Sequence, residues 1–399
     1  MRISRKMNKD RAIIILDRCI ENLLYLLIFF IPISKAAISI IFGIAMFLFI
    51  IKKILNPDFR FAKNHAHLFL ALFFGFCALS LFNSGIYLQK GLRALFGKWL
   101  EYIFIFILAE DTLNTRQRLK NAVVIFLSIS GLVAVDGIYQ KFSGVDFFRG
   151  RHLVDARPTA GFENQNSLAA YLVPGLILAT TLLFYRELKA KYKYVLIFLS
   201  VSLGVALILT FTRSAWLSFI AGSVFWIFLS RNFKKGLIPM AIFIIILVSV
   251  PALRGRAMVT FKPGWDSDRF ALMHTAWGMI KDSPFLGKGL GTFMDYFRQY
   301  ATIEGVYYAH NCYLQIWAEA GIFSLLSFLL FTGTILIRGI KKFARHPDYL
   351  LLGMLCIFFA LMVNIFFDNH LYSLQLKALF WFILGLTCAA TRLSIDVTK

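Results

Sequence analysis

Twelve apolar runs separated by short polar clusters set the pattern of this chain, at residues 20–33, 36–51, 66–82, 92–108, 122–139, 167–185, 194–211, 215–230, 237–250, 312–337, 350–367 and 376–389. A helix needs about 20 apolar residues to cross a bilayer, so the pattern predicts an all-α integral membrane protein with about 12 transmembrane helices. The two shortest runs, the second and the ninth, are expected to be re-entrant or tilted rather than full crossings. On this division residues 1–140 hold five transmembrane helices and residues 141–166 an external loop. Helices six to nine follow over 167–252, a large external (periplasmic) catalytic loop over 253–310, and helices ten to twelve with a cytoplasmic tail over 311–399.

Composition excludes a soluble alternative. The chain is 59% hydrophobic and 16% charged, with a mean hydropathy of +0.71, whereas about a quarter of an ordinary globular domain is charged. The net charge of +22 then reads as orientation. Lys and Arg gather in cytoplasmic connections, and 25 of the 43 fall in the N-terminal segment, in residues 52–63, 116–120, 186–193, 231–235 and 338–345, and in the tail. Every even-numbered connection is basic, which predicts both termini in the cytoplasm and implies no nucleic-acid partner. The basic N-terminus precedes an apolar run without a small-residue cleavage site, so it is expected to be a retained first helix. Cys19, Cys77, Cys312, Cys356 and Cys388 are too scattered for a disulfide framework or a metal motif.

The basic residues outside those clusters carry the chemical information. Arg213, in Thr210-Phe-Thr-Arg-Ser-Ala-Trp216, occupies a tight external turn. It is either a snorkelling anchor or an anion clamp, since arginine at membrane depth generally has a partner. Arg269, in Trp265-Asp-Ser-Asp-Arg-Phe270, lies in the large loop and is either locally paired or part of a site. Two arginines converging from separate elements suit a diphosphate, because the guanidinium fork binds phosphate oxygens bidentately.

His310 stands at the start of the tenth run, where it is either a hydrogen-bonded helix-end residue or a general base for a hydroxyl nucleophile. Asn311 beside it can cap or orient. In the shorter loop Arg149, Arg151 and Arg157 precede Pro158-Thr-Ala-Gly-Phe-Glu-Asn-Gln-Asn166, and this stretch, Glu163 included, suits sugar hydroxyls or simply helix caps. Asp368-Asn369-His370 reads as a structural polar knot, and Arg93, Lys98 and Glu101 as lining an internal cavity. Gly287-Lys-Gly-Leu-Gly291 lacks the GxxxxGK[ST] spacing and reads as a turn after Pro284. With no HExxH, no GxSxG and no carboxylate cluster, a reaction without metal, nucleotide or other cofactor is expected.

Together these residues resemble the O-antigen ligase and polysaccharide polymerase family of bacterial envelope enzymes, over about residues 157–321. Three segments carry the resemblance: Thr212-Arg213-Ser-Ala; Arg269 followed by Trp277, Pro284 and Gly287–Gly291; and His310-Asn311 with nine residues before Gly321. Three residues further on, where the family commonly has Gly, Thr or Tyr, this chain has Ser324.

The resemblance implies a C-type glycosyltransferase fold in the bacterial inner membrane, with its site facing the periplasm. It also implies an undecaprenyl-diphosphate-linked glycan donor, His310 as general base, and Arg213 with Arg269 as ligands of the diphosphate. Arg157, Glu163 and Asn311 are further expected substrate contacts. The acceptor is then a sugar hydroxyl of lipid A-core lipopolysaccharide for a ligase, or of a growing glycan for a polymerase. Membrane lipids surround the rest. A lipid-linked sugar transporter is the reading from another class, but no internal repeat or paired Gly/Pro-interrupted spans support it.

Overall fold

The computed structural model describes residues 2–58, 65–185, 187–230, 233–259, 267–305 and 307–393. Arg60, Lys63, Arg186, Arg231 and Lys399 of the expected basic clusters lie outside the described residues, as does the Trp265-Asp266 pair ahead of Arg269. Each of the twelve apolar runs has a helix at its centre. The first six helices are α1 (Arg2–Phe30), α2 (Lys35–Leu55), α3 (His65–Leu79), α4 (Leu88–Ala94), α5 (Leu100–Thr112) and α6 (Arg116–Ser143). A π-helical turn, Leu95–Trp99, joins α4 to α5. There follow α7 (Gln165–Leu183), α8 (Ala190–Leu209), α9 (Arg213–Leu229), α10 (Phe233–Ser249) and α11 (Pro251–Met258). The last five are α12 (Ser267–Asp282), α13 (Phe293–Tyr300), α14 (Cys312–Arg345), α15 (Tyr349–Phe367) and α16 (Leu374–Arg392). Among the described residues the only β pairing is two isolated bridges in the 144–157 loop.

Among the described residues, eight helices are long and apolar enough to cross a membrane, or nine if the bent pair α10–α11 counts as one span. The difference from twelve has local causes. Helix α1 carries Asp17, Arg18 and Glu21, the α4–α5 segment is interrupted by its π turn and carries Arg93, Lys98 and Glu101, and α9 has 17 residues. The second run, expected to fall short, belongs to a helix of 21 residues because polar ends extend it. Ser34 Oγ accepts from Ala37 N at 3.3 Å at one end, and Lys52 and Lys53 close the other. The ninth run forms α10, and the chain bends directly after it. Pro251 cannot continue the hydrogen-bond ladder, and α11 leaves α10 at 96°.

Helices α7 and α16 are apolar on all sides and buried on all sides, which places them at the centre of the bundle. Around them α14 packs on α3, α5 on α16, α15 on α7 and α9, and α1 on α2. One end of the bundle is tied by charge. Lys52 Nζ reaches Asp17 at 2.6 Å and Asp111 at 3.1 Å, Lys53 reaches Asp111 at 2.8 Å, and Arg118 holds Asp17 and Glu21 at 2.6 and 2.9 Å. Buried Glu110 is shared at that end by His67 and Arg392. The opposite end carries the loops that contain His310.

Helix α14 is broken near its start. Gly321 sits at φ 81° and ψ 172°, so the carbonyls of Ala318 and Glu319 are released from the helix. The loop after Pro284 takes them up: Lys288 N donates to Ala318 O at 2.8 Å and Gly289 N to Glu319 O at 2.9 Å. Ile322 N and Trp317 Nε1 in return donate to Pro284 O at 3.0 and 2.9 Å. The Lys288 and Gly289 amides are thus spent on the helix. Beyond this clasp, α12 and α13 form a small outer cap with its own core of Leu272, Met279, Ile280, Phe293 and Phe297.

A Cβ at Gly321 would lie 1.9 Å from Phe285 O, whereas one at Gly333 meets nothing within 4 Å. Gly321→Ala should therefore cost about 2 kcal/mol or more, while Gly333→Ala should be neutral or slightly stabilising. Thermal unfolding of the two variants in detergent micelles measures the contrast.

Candidate active site

The site begins where the chain returns from α13 into α14. Asn311, 2% exposed, is the N-cap of α14, its Oδ1 accepting from Tyr313 N and Leu314 N at 3.0 Å each. That satisfies two amides left open by the helix start and commits the Asn311 oxygen to the backbone. His310, just ahead of it, is held at φ 48°. The left-handed region costs a non-glycine residue about 1 kcal/mol or more, and such strain gathers at functional sites. Among the described residues the other non-glycine positions of this kind are Asp155, Ala156, Ala160 and Phe211, all in loops at the same end.

His310 Nδ1 lies 3.1 Å from Asp368 Oδ1, and the imidazole is 32% exposed. Asp368 follows α15 directly and is the meeting point of four elements. Asn369 N donates to its Oδ1 at 2.8 Å, Asn166 Nδ2 to its Oδ2 at 3.2 Å, and Cys312 Sγ to its carbonyl at 3.2 Å. Burial opposes ionisation of Asp368. The imidazoles of His370 and His310, with the Asn369 amide, outweigh it and hold the carboxyl well below the usual carboxylate range. His370 itself is pushed below the usual imidazole value by burial, against the pull of Asp368 and with the help of charge at His310 and Arg269.

An open cavity of about 490 Å³ lies against the exposed side of His310, lined also by Asp268, Arg269, Leu272, Ile303, Glu304 and Tyr307. Arg269, in the first turn of α12, thus shares a wall with the histidine. Arg213 does not line this cavity. It opens α9, half-buried, and its neighbour Thr212 donates from Oγ1 to Asn166 Oδ1 at 3.3 Å. Thr212, Asn166, Asp368 and His310 therefore form one hydrogen-bonded line from the α9 turn to the imidazole. Arg157 and Glu163 stand apart. Arg157 pairs with Asp155 at 3.1 Å, and Glu163 is an exposed partner of Lys35.

The arrangement gives Asp368 a part that its sequence context concealed, since Asp-Asn-His after an apolar run reads as a turn. A second set of polar groups also escaped notice. Asn369 Nδ2 donates to Gln315 Oε1, Gln315 Nε2 to Glu319 Oε1 at 3.1 Å, and Tyr372 OH to Glu319 Oε2 at 3.1 Å. Glu319 Oε2 also accepts from Gly291 N at 3.0 Å. The only trace in the sequence was Gln315 and Glu319 at i, i+4 in an apolar run, a spacing that puts both on one helix face. Below them Lys377, 3% exposed, lies over the rings of Trp99 and Tyr102 at 4.6 and 4.9 Å. Of the residues expected to line an inner cavity, Glu101 borders a cleft of about 250 Å³ with Ser39 and Phe42 of α2, while Arg93 and Lys98 are exposed.

Chemically, a histidine whose Nδ1 faces an ionised carboxylate presents Nε2 as a proton acceptor. Comparison with curated proteins gives no match. The family model described as O-antigen ligase matches residues 196–329, from the early part of α8 to the middle of α14. That span includes Arg213, Arg269 and His310 and leaves Asp368 outside it. Over this stretch the chain is similar to the O-antigen ligase family.

Proposed function

We propose that the protein is an O-antigen ligase, transferring a glycan from an undecaprenyl-diphosphate carrier to a sugar hydroxyl of lipid A-core lipopolysaccharide. The observation that carries this reading is His310, backed by ionised Asp368 at 3.1 Å and facing the open cavity that Arg269 lines. Asp368 accepts a hydrogen bond from Nδ1–H, which holds that proton on the ring and leaves the Nε2 lone pair as the base. Nε2 removes the hydroxyl proton as the acceptor oxygen attacks the anomeric carbon from the side opposite the diphosphate. The new C–O bond forms as the bond to the diphosphate oxygen breaks, with inversion, and that oxygen keeps the electron pair.

Arg269 and Arg213 stabilise the charge gathering on the leaving diphosphate. Because the diphosphate is already a good leaving group, one base and two cations suffice without metal or nucleotide. Asp268 and Glu304 offer acceptor oxygens to sugar hydroxyls along the same wall. On this reading the site faces the periplasm, the protein spans the inner membrane with both termini in the cytoplasm, and the end tied by Lys52, Lys53 and Arg118 is the cytoplasmic one.

Ser324, in place of Gly, Thr or Tyr, weakens the choice of ligase over a second reading, a polymerase of the same family that extends the lipid-linked chain by repeat units. Deletion of the gene separates the two. A ligase predicts loss of all long-chain lipopolysaccharide with lipid-linked polymer accumulating, and a polymerase predicts core bearing a single repeat.

In purified protein without ATP or added metal, His310→Ala, Arg213→Ala and Arg269→Ala should each lower transfer by about 10³-fold or more. Near-normal turnover of the His310 variant would sink the general-base assignment. Asp368→Asn should lower kcat by about 10²-fold with the donor KM held, because it removes the orienting carboxylate but not the diphosphate ligands. An equal loss for Asp368→Asn in KM alone would instead make Asp368 a binding residue.

A further inference from the structure

Gln315 lies in the first turn of α14 and is fully buried. Its Oε1 accepts from two directions. Ala309 N, the amide just ahead of His310, donates at 3.3 Å, and Asn369 Nδ2, from the residue just after Asp368, donates as well. One oxygen thus joins a segment six residues back to another 54 residues ahead.

With His310 Nδ1 at 3.1 Å from Asp368 Oδ1, these bonds close a ring. It runs along the backbone from Ala309 to His310, across to Asp368, along the backbone to Asn369, and back through Gln315 to Ala309. The separation of the imidazole from the carboxylate is therefore tied to the reach of one side-chain amide.

The amide has a single workable orientation. Ala309 N can only donate, so it must face Oε1. A reversed amide would set two donors face to face and turn its oxygen on the Glu319 carboxylate, which Nε2 now meets at 3.1 Å. Glu319 is itself held by Gly291 N at 3.0 Å and Tyr372 OH at 3.1 Å, so Gln315 is locked at both ends.

His310 needs such a tie. Its φ of 48° persists only where the surroundings over-determine it. Helix α14 begins at Cys312 and does not reach back to Ala309; the amide beside the strained residue is anchored by Gln315 instead.

We propose that Gln315 is a positioning residue for the His310–Asp368 pair, spacing the two and holding the left-handed turn that presents the imidazole to the cavity. The proposal rests on His310 as the base, as given above, and adds the group that aims it. An apolar side chain of similar size is no substitute, because Gln315→Leu leaves the Ala309 amide and Asn369 Nδ2 without their acceptor. Gln315→Glu keeps the oxygen, and since two adjacent carboxyls share a proton it keeps a donor toward Glu319 as well.

The test uses the full-length protein in lipid nanodiscs, measuring glycan transfer and modification of histidines by diethyl pyrocarbonate on the same preparations. The reagent needs a ring nitrogen with a free lone pair, and peptide mapping scores His310 against exposed His152. Gln315→Leu should lower kcat about 10- to 100-fold with the donor KM held. It should also slow modification of His310 about fivefold, because Asp368 no longer enforces the Nδ1–H tautomer. Gln315→Glu should return both to within about threefold of the parent protein. In the Asp368→Asn background Gln315→Leu should cost nothing further, whereas a general loss of folding multiplies the two effects. If Gln315→Leu does not fold, Asn369→Ala opens the ring at its other joint and should give the same pattern.

Unchanged kcat and unchanged His310 modification in Gln315→Leu would overturn the proposal. So would losses that multiply fully with those of Asp368→Asn. Slowed His310 modification in Gln315→Leu, when the parent protein transfers no glycan, would uphold the positioning role and sink the base reading, so the two fail separately.

Discussion

In the interior of a membrane bundle, a helix can be broken only where something else takes up the carbonyls it releases. That constraint organises this protein around Gly321. The break frees the carbonyls of Ala318 and Glu319, and the loop between Pro284 and Gly291 answers them with its own amides. The clasp fixes α12 and α13 over the bundle, and so fixes Arg269 at the head of α12 relative to His310 at the head of α14. Remove the break and the outer cap has nothing to hold, because its own core is small.

The same constraint explains why the site rests on so many hidden polar groups. Asn369, Gln315 and Glu319 are 7%, 0% and 1% exposed, and each answers a neighbour: Asn369 and Gln315 one another, Glu319 both Gln315 and the amide of Gly291. A buried polar network is costly where a group is unpaired, as Asn369 Oδ1 is, and rigid where groups are paired. Here it stiffens the corner from which Asp368 reaches His310. The imidazole can thus stay partly open to the cavity while its other nitrogen is held from behind.

Much of the fold could be read from the sequence, because hydropathy is local. The apolar runs marked where helices form, and the shortness of the ninth marked it as irregular, though not the turn at Pro251. Lengths were less legible: the second helix gained residues such as Lys35 and Lys53 that a hydropathy reading leaves out. Of the candidate residues, Arg269 and His310 stood out as unusual for their surroundings and do line one cavity, whereas Arg213 lies outside it. Asp368 was not legible, since its meaning comes from a contact across 58 residues of chain. Asn311, expected either to cap or to orient, is the N-cap of α14.

The backbone at His310 and Phe211 carries a different implication. Both residues sit at positive φ, 48° and 52°, without being glycine, in the two turns that present the histidine and the arginine at position 213. Conformations of this kind persist only when the surrounding packing over-determines them. The fold thus spends part of its stability on geometry that folding alone does not require. The drift toward greater robustness open to most proteins would, at these two turns, run toward a molecule that is easier to fold and has lost the directions in which its imidazole and guanidinium point.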